Sequence, residues 1–219
     1  FPVEAEGTKA TITYEGTVPD RQRPPMYRDT PAQLVKHLEH ANCWWRDTAQ
    51  KELVLRQDKS VVPTLTAMAR ASSNRLARAH ALWTLEGLGA LDAALVREQM
   101  KHADPKTRIQ AIRASESLYK AGDKSFANDY RTMLKDAETD VVIQAMLTIN
   151  LRRIPQYADL IRATKDASTV RGITEIGEQL LRPQTSSQGQ RPSSQDTAVT
   201  GLNLSTEERR MLARGETSY

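Results

Sequence analysis

An all-α solenoid of about five helical hairpins is the fold this sequence predicts, and three observations predict it. From Thr30 to Arg182 the apolar residues recur at three- and four-residue steps, the stripe of a helix with one buried side. The stretches are short, and the breaks between them alternate in kind. Second helices read as starting near Asp47, Arg75, Thr107, Asp140 and Val170, a period of about 28 to 33 residues, which is the spacing of a stacked repeat.

The elements follow in order. Residues 1–29 read as an extended connector: Thr11-Ile12-Thr13-Tyr14 suggests a short strand, while Gly7, Gly16, Pro19, Pro24 and Pro25 keep the rest from becoming helix. Thr30-Pro31 is a helix start, with a capping hydroxyl before a proline at the first helical position. Leu34 and Leu38 mark the first helix, and Trp45, Ala49 and Leu53 the second. Val62, Leu65, Met68 and Ala69 mark the third, and Leu76, Ala79 and Trp83 the fourth. Val96 and Met100 pair with Ile109, Ile112 and Leu118 in the third hairpin. Phe126, Tyr130, Met133 and Leu134 pair with Val142, Ala145, Met146 and Ile149 in the fourth. Tyr157, Leu160 and Ile161 pair with Ile173, Ile176 and Leu180 in the fifth. One kind of break is an Asp/Asn-bearing turn inside a hairpin, as in His40-Ala41-Asn42 and His102-Ala103-Asp104-Pro105. The other joins hairpins, as in Gly87-Leu88-Gly89-Ala90 and Ala121-Gly122-Asp123. Residues 183–203 are rich in Ser, Thr, Gln, Pro and Gly and read as a flexible linker. In residues 204–219, Ser205-Thr206-Glu207-Glu208 reads as the cap and acidic first turn of a short terminal helix.

Composition narrows the function. The 219 residues are 39% hydrophobic and 26% charged, with mean hydropathy −0.58, somewhat polar for one compact globule and in keeping with repeats that each keep a side in water. No run approaches ~18 apolar residues, the length of a membrane span. The net charge of +4 raises nucleic acid as a partner, but basic and acidic residues are interleaved, as in Glu207-Glu208-Arg209-Arg210, and no basic block appears. Cys43 is the single cysteine, so there is no internal disulfide, CxxC pair or cysteine zinc site. Beside Trp44 and Trp45 it is expected to be buried or half-buried.

No catalytic set is legible. There is no Ser/His/Asp or Cys/His arrangement and no phosphate-binding glycine loop; Gly87-Leu88-Gly89 closes a helix. His37 and His40 lie one turn apart, yet Glu39 points elsewhere and no third ligand joins them, so they are expected at a helix C-terminus rather than on a metal. His80 is expected as a satisfied histidine between helices. In Trp44-Trp45-Arg46-Asp47 the two indoles diverge by about 100°. One should fill the core and the other cap the adjoining hairpin or lie at an interface, with Arg46 and Asp47 forming an ion pair that ties hairpins together. Arg75, Arg78, Arg108 and Arg113 are the candidates for a basic groove, diluted by acidic neighbours.

Asp104-Pro105-Lys106-Thr107-Arg108-Ile109-Gln110-Ala111 resembles the turn and second helix of a HEAT repeat, and Val61-Val62-Pro63-Thr64-Leu65 resembles its proline-bearing first helix. Two further segments, His40 to Gln50 with Asp58 to Pro63, and His80 to Leu88, resemble the HEAT region of large exported bacterial proteins. In that family a sugar-dehydrogenase-like β-propeller precedes the HEAT region and a c-type cytochrome domain follows it. The family usually has glycine where this chain has Cys43. Leu204 to Tyr219 resembles the helix leading into a Cys-x-x-Cys-His haem motif, which this chain does not itself contain.

The resemblance implies a middle segment of a longer periplasmic or otherwise exported protein. That segment would be non-catalytic, with no cofactor of its own and haem c in a following domain. It would act as a scaffold for electron transfer whose partners are the neighbouring propeller and cytochrome domains. Residues 1–29 do not read as a leader. Trp44, Trp45, Arg46, Asp47, Arg75, His80 and Trp83 are the expected inter-hairpin or interaction residues. The alternatives are a stand-alone HEAT adaptor for a separate protein and, further off, a HEAT-like DNA glycosylase, which needs a basic groove tracking phosphates.

Overall fold

The structure, a computed structural model, describes residues 3–6, 9–12 and 26–182. The expected linker and terminal helix of residues 183–219, and Thr13-Tyr14 of the expected strand, lie outside the described residues. The chain forms two compact units, Phe1–Leu181 and Arg182–Tyr219.

Strand β1 (Val3–Glu6) pairs antiparallel with β2 (Lys9–Ile12), Val3 opposite Ile12 and Glu6 opposite Lys9. The single short strand expected near Thr11 is therefore the second arm of a hairpin. A 3-10 turn at Met26–Arg28 precedes the array, and Met26 is fully buried in the core. The Arg56 guanidinium donates to the Met26 carbonyl oxygen at 2.7 Å. The packed region thus begins four residues before Thr30, because Met26 fills the end of the core that the first helix leaves open.

Ten α-helices follow: α1 (Pro31–His37), α2 (Cys43–Arg56), α3 (Val62–Ala71), α4 (Arg75–Gly87), α5 (Ala93–Met100), α6 (Pro105–Ala121), α7 (Phe126–Met133), α8 (Thr139–Leu151), α9 (Tyr157–Asp166) and α10 (Arg171–Leu181). They pair in sequence as five hairpins, and the second helices α2, α4, α6, α8 and α10 pack one against the next. This is the expected all-α solenoid. A continuous apolar core runs through it from Met26 to Ile173.

The helix starts are chemically explicit. Thr30 and Gln33 form a reciprocal capping box before Pro31. Asn42, Asn74, Asp92 and Asp104 each accept a backbone N–H of the following first turn. The five intra-hairpin turns share one device. The residue two before the second helix's cap (His40, Ser72, His102, Asp136 or Ser168) accepts the N–H of the residue two further on, at 2.9–3.2 Å. An imidazole, a hydroxyl and a carboxylate all serve, because the turn requires only an acceptor at that reach.

Three sequence expectations shift. Helix α2 starts at Cys43 rather than near Asp47, since Asn42 supplies the cap. Cys43, at its first position, is exposed rather than buried. On α4 the buried stripe is Ala77, Ala81 and Leu85 with Leu82, whereas Leu76 is 45% exposed and Ala79 and Trp83 are half-buried. That helix is apolar on two sides, and spacing alone selects the wrong one.

Candidate functional site

Three second helices carry an arginine four residues past the cap: Asn42 and Arg46, Asn74 and Arg78, Asp104 and Arg108. Each guanidinium folds back onto the carbonyls of its own turn. Arg46 donates to His40 O at 2.6 Å and Ala41 O at 2.7 Å. Arg78 reaches Ser72 O at 2.6 Å; Arg108 reaches His102 O at 2.8 Å and Ala103 O at 2.9 Å.

Each also reaches the next hairpin. Arg46 Nε donates to His80 Nε2 at 3.3 Å, Arg78 donates to Thr107 Oγ1 at 3.2 Å and Asp104 Oδ2 at 3.5 Å, and Arg108 takes both oxygens of Asp136. The result is a ladder of guanidinium groups through the first four hairpins. A second set of links joins the first helices: Arg70 to Glu98 and Arg97 to Asp129, each at 2.9 Å.

The seven sequence-nominated residues divide between this ladder and the surface. Arg46 does not pair with Asp47 as expected, because the turn carbonyls and His80 take its donors. Asp47 instead lies 3.9 Å from His80 Nε2, with its side chain largely exposed. His80 Nδ1 donates to Gln50 Oε1 at 2.7 Å, so with Arg46 donating to Nε2 the neutral imidazole satisfies both ring nitrogens. Burial lowers its pKa from the ordinary 6.5, Asp47 opposes this, and the Arg46 charge adds to it. His80 therefore bridges the first two hairpins as an uncharged side chain.

Trp45 is half-buried, its ring stacked on His40 at 4.6 Å between centroids and edge-on to His37 at 5.1 Å. The two histidines thus clasp an indole rather than face a common ligand, and His37 Nε2 meets Asp29 Oδ2 at 2.8 Å. Among the described residues no group of three or more His, Cys, Asp or Glu is placed to hold a metal ion. Trp83 Nε1 donates to Gln110 Oε1 at 2.9 Å, and the Arg113 guanidinium lies over its ring.

Trp44 and Arg75 are different. Trp44 is 54% exposed, and Arg75 is exposed with no hydrogen bond or ion pair among the described residues. Arg75 acts at longer range on Asp104. Burial pushes that carboxyl up, but hydrogen bonds from Thr107 and the Lys106 N–H, together with the Arg75 charge, hold it below its ordinary value.

Trp44, unlike Arg75, lies on a face that recurs along the second helices. Positions two, nine and thirteen past each second-helix cap lie within about 40° of one another around the helix. They hold Trp44, Lys51 and Leu55 on α2, Leu76, Trp83 and Gly87 on α4, Lys106, Arg113 and Ser117 on α6, and Asp140, Leu147 and Leu151 on α8. Five of the seven large apolar side chains exposed among the described residues (Trp44, Leu55, Leu76, Leu147 and Leu151) sit on this one stripe. Between α4 and α6 it dips into a pocket of about 220 Å³, with Leu76, Ala79 and Leu82 on its apolar side and Arg75 and Lys106 among its polar lining.

Gln50, Gln110 and the Arg108–Asp136 pair were not singled out by their sequence pattern as links. Arg78 and Arg108, candidates for a basic groove by sequence, are held in the ladder instead. The signal that finds them is an arginine four residues past an Asx cap, three times over. No helix is long and apolar enough to cross a membrane among the described residues. No family model and no curated protein matches the chain.

Proposed function

We propose that this array is a non-catalytic HEAT-type docking and spacer module, working within an exported dehydrogenase–cytochrome electron-transfer protein. The observation that carries docking is the stripe on the second helices. A protein surface scatters single apolar residues without consequence, but their concentration on one face marks an interaction site. The polar groups capable of acid–base chemistry nearby, His80 and Asp104, are engaged in links between hairpins, which suits a scaffold.

The electron-transfer context rests on the sequence resemblance: the Trp-Trp-Arg-Asp segment, the His80 to Leu88 segment and the approach to a haem motif. In that setting the array spaces a propeller from a cytochrome domain, and the haem and the substrate site belong to those neighbours. The gene's reading frame tests this. A Cys-x-x-Cys-His motif within a few tens of codons after Tyr219 and a propeller sequence before Phe1 are expected. A frame with neither overturns the electron-transfer assignment.

A further inference from the structure

The second-helix face changes character along the array. Hairpins 1 and 2 present Trp44, Lys51, Leu55, Leu76 and Trp83; hairpin 3 presents Lys106, Arg113 and Lys120; hairpin 4 presents Asp140, Leu147 and Leu151. Three carboxylates around the basic middle are already engaged, while Glu86, three residues past Trp83, has no ion pair among the described residues. Asp104 binds Arg78 and Thr107, Asp140 binds Lys106 at 2.6 Å, and Glu116 binds Arg152 and Thr148. Arg75, Arg113 and Lys120 have no ion pair among the described residues, so the residual charge of this region is positive.

The adjoining pocket of about 220 Å³ is smaller than the roughly 300–1,000 Å³ of small-molecule sites. It suits one side chain of a larger partner. Deepening the docking reading and resting on it, we propose that this face binds a protein segment with an acidic centre and apolar flanks, one flank entering the pocket between α4 and α6.

Geometry sets the pattern of that segment. Neighbouring packed helices lie about 8–10 Å apart, and a polyproline II segment advances about 3.1 Å per residue and returns every third side chain to the same side. Such a segment crossing α4, α6 and α8 therefore presents apolar, acidic and apolar side chains about three residues apart. The acidic side chain meets Arg113 beside Trp83, the first apolar one fills the pocket against Leu76 and Leu82, and the second rests on Leu147.

An amide-resolved NMR titration of the full chain tests this, with the capped peptide Leu-Ser-Gly-Glu-Gly-Ser-Leu as probe. Saturable shifts confined to α4, α6 and α8 are expected, at least tenfold weaker affinity when Lys replaces the Glu, and a similar loss when Ser replaces both Leu. Arg113→Glu, an exposed change checked for an unaltered unfolding midpoint, should reverse the preference toward the Lys peptide. Ala79→Phe, which fills the pocket, should weaken the Leu peptide only. Shifts that are absent, indifferent to the peptide's charge or apolar ends, or outcompeted by a single-stranded oligonucleotide of equal charge overturn the proposal. The two readings fail separately. A reading frame without cytochrome or propeller leaves peptide binding intact, whereas peptide failure with those domains present moves the contact elsewhere on the array.

Discussion

The Arg108 guanidinium meets the Asp136 carboxylate in two parallel hydrogen bonds, Nε to Oδ2 at 2.9 Å and Nη2 to Oδ1 at 2.8 Å. It thereby locks the third hairpin to the turn of the fourth. The side chains are 13% and 9% exposed, so removing one leaves the other charged and largely out of water. Arg108→Met is expected to lower unfolding free energy by about 3–5 kcal/mol. Arg108→Met with Asp136→Asn should recover part of that loss, because the uncompensated charge is gone. Urea denaturation of the three proteins reads both values; a single mutant within about 0.5 kcal/mol of the parent would show the pair to be incidental.

His80 makes stability depend on pH. Its folded pKa lies below the ordinary 6.5, so the unfolded chain takes up the proton first as pH falls. The contribution of the neutral imidazole is whole above about pH 6.5 and is lost as pH drops through the folded value. The physical event is a new N–H at Nε2 pointing at the Arg46 donor, softened by Asp47. Between pH 7 and pH 5 the parent is expected to lose more stability than His80→Gln, whose amide still accepts from Arg46. Equal slopes in melts across that range would contradict the assignment.

Gly87 closes the contact between α4 and α2. A Cβ placed there would sit 2.6 Å from Val54 Cγ2, closer than carbon atoms approach. Gly87→Ala is expected to cost about 1–3 kcal/mol by overpacking despite the better helix propensity of alanine. Pairing it with Val54→Ala should remove most of that clash, as a double-mutant cycle by chemical denaturation would show.

The ladder ends at the fourth hairpin. Four residues past Glu138, the cap of α8, stands Val142, with no donor to offer the fifth hairpin. A cleft of about 740 Å³ opens there, lined among others by Val142, Leu160 and Ile173. Helix α9 buries only Ile161 fully, and α10 only Ile173 and Gly177. Hydrogen exchange should find α9 and α10 opening at lower free energy than α2, which also belongs to a terminal hairpin but carries Arg46. Equal protection of the two ends would remove the ladder as the cause.

Much of the fold was legible because its signals are local. Thr30-Pro31 and Asp104-Pro105 announce helix starts, and Phe126, Tyr130, Val142 and Ile149 repeat on one face. Leu76 misled because Leu76, Ala79 and Trp83 obey helical spacing while facing outward; periodicity reveals a stripe and not what covers it. Arg46 misled for another reason. Its acceptors are mostly backbone carbonyls, which every residue carries, so nothing beside Arg46 in the sequence marks them. The exposed apolar stripe is visible only in the common register that the caps give the second helices.

The second-helix face as the working surface is tested most directly by hydroxyl-radical footprinting of the array, free and in the assembly purified from its source. Oxidation of Trp44, Leu76 and Trp83 is expected to fall several-fold in the assembly, while Tyr27, 69% exposed and off that face, stays unchanged. Unaltered oxidation of those three side chains, with protection on the first helices instead, would contradict the account.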